Sequence, residues 1–102
     1  MTYLAIDTQK NFLVLQKSQK EYQQVICSSK LNNVTESLAM LANKGADMDS
    51  NEAQALQYYQ EMYDQQNATL ETQLKAINAQ IEGFQKIVDT NIKTDCKLNI
   101  SV

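Results

Sequence analysis

Cys27 and Cys96 are the residues of this 102-residue chain best suited to nucleophilic, redox or metal chemistry, and neither has a helper. General acid–base catalysis most often uses His, and the chain has none. The two cysteines are far apart and form no Cys-x-x-Cys motif. With no His, a four-ligand zinc site has no familiar spacing to draw on. They read as two reduced thiols. Nucleophile-elbow, phosphate-loop and dinucleotide-binding motifs are all missing. Glu71 with Lys75 is an ordinary helix-surface pair, worth about 0.3 kcal/mol. The three Asn-x-Ser/Thr patterns, at Asn33, Asn67 and Asn99, read as chance in an Asn-rich chain. The cluster of Tyr58, Tyr59 and Met62 beside Tyr63 is a candidate recognition patch, since aromatics and Met are enriched at interfaces. The same residues would equally serve as core and rim packing. The expectation is a protein that is not an enzyme, with no cofactor, no metal and no small-molecule substrate.

Charge narrows the partners. All nine basic residues are Lys, set against 12 acidic ones, for a net charge of −3. Lys10, Lys17, Lys20 and Lys30 are interspersed with acids and amides, so no basic patch forms and no nucleic-acid partner is expected. The longest apolar run is Phe12-Leu13-Val14-Leu15, far short of the roughly 20 residues a membrane span needs. The start, MTYLAID, shows no cationic segment leading into an apolar one, so no signal peptide is read. A cytoplasmic location is the simple expectation, with secretion by a route that uses no cleaved signal as the other.

The chain has no Pro and only two Gly, so few points interrupt a helix. The clearest break is NKGADMDSNE, residues 43–52. Gly45 suits a helix end in the left-handed conformation. Asp49 or Ser50 suits the start of the next helix, and Asp49 with Glu52 approximates a capping box. The sequence therefore predicts helix one over about 7–43, a turn at 44–49, helix two over about 50–93, and a C-terminal tail at 94–102. The tail, ending KLNISV, alternates apolar and polar residues and reads as frayed or extended. The expected fold is all-α, a single long antiparallel two-helix hairpin of the coiled-coil type.

Helix two carries the stronger seam. Leu56, Tyr63, Leu70, Ile77 and Phe84 recur every seven residues, with Leu74, Ile81 and Val88 between and after the later ones. Gln60 and Asn67 occupy the earlier intervening positions. A polar seam residue fixes register at a cost in stability, and Asn67 is the candidate. In helix one, Leu31, Val34, Leu38 and Leu41 follow the same spacing. Leu15, Tyr22 and Ile26 form a set in shifted phase, which predicts a stutter near 27–30. In a straight hairpin Cys27 lies opposite Asn67, and a Cys27–Cys96 disulfide is out of reach.

Two helices touch along one seam and leave much of this apolar set wet. Burial contributes about 25 cal/mol per Å², while ordering a residue costs about 1.5 kcal/mol. A lone hairpin is marginal on those terms. Self-association into a helical bundle would complete it.

The run IVDTNIKTDCK, residues 87–97, resembles the VIDKNIEKSFK-like close of small uncharacterised bacterial coiled-coil proteins. The stretch QKEYQQVICSSKLNNVTESLAML, residues 19–41, is similar to their first helix. The resemblance covers about two thirds of the chain and implies a helical fold without an assigned activity. More distantly, the two-helix layout looks like the needle and filament subunits of type III secretion systems, helical hairpins that polymerise. The Trp-x-Gly turn of another secreted hairpin family is absent, since the turn reads KGADMDS. The expected function is that of a structural or interaction protein that self-associates through its seams, in one version a filament or secretion-associated subunit. The alternative is a small cytosolic adaptor or chaperone that binds a partner helix.

Overall fold

A computed structural model describes the backbone of residues 3–101 and the side chains of residues 4–92. The chain is all-α, an antiparallel hairpin of helix α1, Tyr3–Asn43, and helix α2, Asn51–Ser101. Helix α1 starts four residues earlier than its sequence signals indicate. Helix α2 carries on through the segment read as a tail. No Pro or Gly follows Gly83 to stop it, and the short alternating run has no strand to pair with.

The turn is built from two caps. The Gly45 N–H donates to the Ala42 carbonyl at 3.1 Å, and the Ala46 N–H donates to the Leu41 carbonyl at 3.0 Å. That pair of bonds is a Schellman motif. It needs a left-handed residue, and Gly45 has φ of 74°. The Asp49 N–H then donates to Asp47 Oδ1 at 2.9 Å, an Asx turn. Ser50, not Asp49, caps α2: its Oγ accepts from the Ala53 N–H at 3.2 Å, and its carbonyl accepts from the Gln54 N–H at 2.9 Å. The third helical position is therefore Ala53, so the Asp49–Glu52 capping box does not form. Glu52 still lies in the first turn, where the helix dipole favours an acid. Ser50→Ala should cost about 1 kcal/mol of stability, read as a lower midpoint in urea with an unchanged slope.

Packing divides the chain into two units. The turn unit is Lys20–Gln73; the terminal unit is Met1–Gln19 with Leu74–Val102. In the turn unit, Gln60 Nε2 donates to Thr35 Oγ1 and Asn67 Nδ2 donates to Ser28 Oγ, each at 3.2 Å. These bonds set Leu38 level with Leu56, Leu31 with Tyr63, and Cys27 with Asn67. Leu38, Cys27 and Ala53 are buried. In the terminal unit Lys10 Nζ donates to Gln85 Oε1. Ile6 then lies level with Val88, Leu13 with Ile81, and Lys17 with Ile77. Ile6, Leu13 and Ile77 are buried there.

Along α2 the seam keeps a strict three–four spacing from Ala53 to Val88, with Met62, Asn78 and Gln85 half-buried beside it. A partner helix must match that period, so α1 holds one phase too. Its seam runs back from Leu41 through Leu31, Cys27, Gln24, Lys20, Lys17, Leu13 and Lys10 to Ile6. There is no stutter at 27–30. A four-residue insertion in phase would rotate Leu13 and Ile6 off the seam. The consequence is that Leu15, Tyr22 and Ile26 lie outside the intramolecular seam, and three lysines lie in it. Lys10, Lys17 and Lys20 are half-buried, and the Lys10 ammonium is held by Gln85; a lysine in such a place covers apolar surface with its stem and keeps its charged end in polar company. Gly83 sits on the outer side of α2, where an added Cβ would meet nothing within 4 Å. It is a tolerated weak point, not a site of close approach.

Candidate interaction surface

Cys27, the candidate for chemistry among the described side chains, is occupied structurally. Cys27 is a buried free thiol. Its S–H donates to the Tyr63 carbonyl at 3.1 Å, with Gln66 Oε1 at 3.8 Å. The side chain of Cys96 falls outside the described ones. Among the described residues, no group of three or more His, Cys, Asp or Glu is placed to hold a metal ion. No helix among them is long and apolar enough to cross a membrane.

Asn67 is in the seam of the turn unit, half-buried. Its amide nitrogen serves Ser28, while its Oδ1 is buried with no hydrogen-bond partner. Such an oxygen costs roughly 1–3 kcal/mol. The Ser28 bond holds Asn67 level with Cys27.

The tyrosines form a ladder along α2. Tyr58 meets Tyr59 edge-on, with centroids 5.7 Å apart, and Tyr59 stacks over Tyr63 at 6.3 Å and 21°. Lys30 Nζ lies 5.9 Å from the Tyr63 ring centroid, within cation–π range. Tyr63 and Met62 are half-buried, while Tyr58 and Tyr59 are exposed. Met62 lines a shallow groove of the turn unit with Ile26, Cys27, Lys30, Gln66 and Leu70. A second groove, in the terminal unit, is walled by Phe12, Leu13 and Phe84.

The remaining seam residues named from sequence divide cleanly. Leu31, Val34, Leu38 and Leu41 of α1 are buried or half-buried, and so are Leu56, Leu70, Leu74, Ile77, Ile81, Phe84 and Val88 of α2. The apolar stripe of α2 is thus covered by α1. The longest regular run of exposed apolar side chains lies on the outer side of α1. Phe12 is 60 % exposed, Leu15 56 %, Tyr22 68 % and Val25 67 %, with Ile26 at 37 % beside its groove. Phe12, Leu15, Gln19, Tyr22 and Ile26 repeat at three, four, three and four, a second heptad stripe nearly opposite the first. The outer side of α2 is different: Glu61, Lys75, Glu82 and Lys86 are exposed there, with Tyr58 the large aromatic among them.

No family model, curated protein or solved structure matches this chain. The surface is therefore read on its own chemistry. Beside the seam that packs on α2, α1 carries a second, exposed apolar stripe. Phe12 and Val25 complete this stripe. Their signal in the sequence is visible only after Leu13 and Gln24, their neighbours along the chain, are assigned to the inner seam.

Proposed function

We propose that the chain is a non-enzymatic structural and interaction protein that self-associates, with the outer stripe of α1 as its contact surface. A single observation carries the reading: four large apolar side chains, Phe12, Leu15, Tyr22 and Val25, stay more than half exposed along one side of one helix. Scattered apolar residues on a surface are ordinary, but a contiguous stripe at heptad spacing is the pattern a second helix covers. The lack of any His, and of a patterned base beside either thiol, supports the non-enzymatic part. A filament or secretion-associated subunit is one concrete form of such a protein.

Light scattering after gel filtration, over a hundredfold range of concentration, tests the reading. The expected mass is at least twice that of the chain at micromolar concentration and above. A helical monomer throughout that range overturns self-association. Assembly only on addition of a foreign helix would replace it with the adaptor.

A further inference from the structure

We infer that the outer stripe of α1 is covered by the same stripe of a second copy, the two α1 helices antiparallel across a two-fold axis, and that assembly closes at a dimer. The inference rests on the self-association reading and specifies its contact.

Charge is the first argument. Between Thr8 and Ser29 the charged residues are Lys10, Lys17, Lys20 and Glu21. The three lysines occupy the inner seam, and Glu21 flanks it. The outer side over those residues bears no charge; it is apolar side chains bordered by Gln, Asn and Ser. A charged partner would find nothing to pair with, whereas an identical face meets it without repulsion or buried unpaired charge.

Area is the second. Phe and Tyr offer about 150–250 Å² each, and Leu, Val and Ile somewhat less. At the exposures above, the stripe offers on the order of 500 Å² per copy. Two copies bury about 1,000 Å² before the bordering amides are counted, which reaches the lower bound for a specific interface.

Register is the third. In an antiparallel pair, Leu15 of one copy can face Ile26 of the other while Gln19 faces Tyr22, each contact made twice. The same register sets Gln16 against Gln23 and Asn11 against Asn32 along the borders, amide to amide. A parallel pair would place Gln19 on Gln19 in the seam, Lys30 beside Val25, and the helix dipoles side by side in the same sense.

Closure follows from the other helix. The exposed apolar side chains of α2, Tyr58 and Tyr59 near the turn and Ile87 and Ile92 farther along, form no heptad stripe and stand among exposed charges. The α1 stripe is the face with the spacing of a helix contact, and a two-fold contact uses it on both copies. Because the stripe lies across α1 from the α2 seam, the α1 helices form the inner pair, not one side of a four-helix ring.

Two experiments test the inference. In a Cys27→Ala, Cys96→Ser background, Leu15→Cys and Ile26→Cys chains are mixed and mildly oxidised. A disulfide dimer that holds one chain of each kind is expected. Leu15→Cys linked only to itself would overturn the antiparallel pairing. In the natural chain, Tyr22→Glu should halve the scattered mass with helical circular dichroism unchanged, while Ala79→Glu, on the outer side of α2, leaves the dimer intact. An unchanged mass in Tyr22→Glu would overturn the stripe as the contact. For the unsubstituted chain, a mass that climbs past two copies overturns closure and leaves self-association standing, whereas a helical monomer overturns both.

Discussion

Leu38→Asp is expected to unfold the turn unit, with most of the helical circular dichroism lost in dilute buffer, while the same change at Ile77 is expected to be tolerated far better. Both side chains are buried to the same degree, at 8 % exposure, so loss of apolar contact is similar. Truncating such a residue costs roughly 2–5 kcal/mol, and a buried unpaired charge adds several more. Domain stabilities of about 5–15 kcal/mol leave little after that. The difference lies in the facing layer. Leu38 is level with Leu56 and has no cation in the seam of its unit within a heptad. Ile77 is level with Lys17, a half-buried lysine whose flexible stem lets its ammonium swing toward a new carboxylate. Urea midpoints measured at pH 7 check the ranking. Equal losses at the two positions would show that Lys17 does not reach that layer.

Replacing both inward lysines of the terminal unit by leucine, Lys10→Leu with Lys17→Leu, is expected to stabilise the hairpin by about 2 kcal/mol. Fully burying a leucine contributes roughly 1.5–3 kcal/mol, but the lysine stems already cover part of that area, and the Lys10 bond to Gln85 is lost. A net gain of about 1 kcal/mol per site corresponds to a thermal midpoint higher by roughly 10 °C for the pair. Differential scanning calorimetry reads it directly. The gain should come with a loss of discrimination. With leucines inside, the two sides of α1 would resemble each other, and mixed or larger assemblies should accompany the higher midpoint.

Those lysines also explain which parts of the fold were readable from sequence. Helix α2 is apolar at most seam positions and polar or charged opposite them, so Leu56, Tyr63, Leu70, Leu74, Ile77, Ile81, Phe84 and Val88 stand out by spacing alone. Helix α1 is greasier on its outer side. There, the seam at 10, 17, 20 and 24 is Lys, Lys, Lys and Gln, and a reading by hydrophobicity picks Leu15, Tyr22 and Ile26 instead. The correct assignment needs the partner's register, because the unbroken period of α2 admits no phase shift in α1. The same pairing that sets Cys27 opposite Asn67 places Lys17 opposite Ile77. The helical course of residues 94–101 is hidden for another reason: alternating apolar and polar residues suit an extended segment as well as a helix, and no second strand exists to receive one.

The Gly45 and Ser50 caps bear on the order in which the hairpin closes. Leu41 and Ala53 are close in the chain, and the cap bonds fix the turn between their helix ends. Each pairing farther from the turn joins residues separated by a longer loop, and the entropy lost on closing a loop rises with its length. The first contacts are then Leu41 with Ala53 and Leu38 with Leu56, after which each new layer extends an existing zipper instead of closing a fresh loop. Low contact order of this kind is the condition for fast folding. A chain that zips from its turn keeps the outer stripe of α1 from finding a partner until the inner seam has already chosen its own.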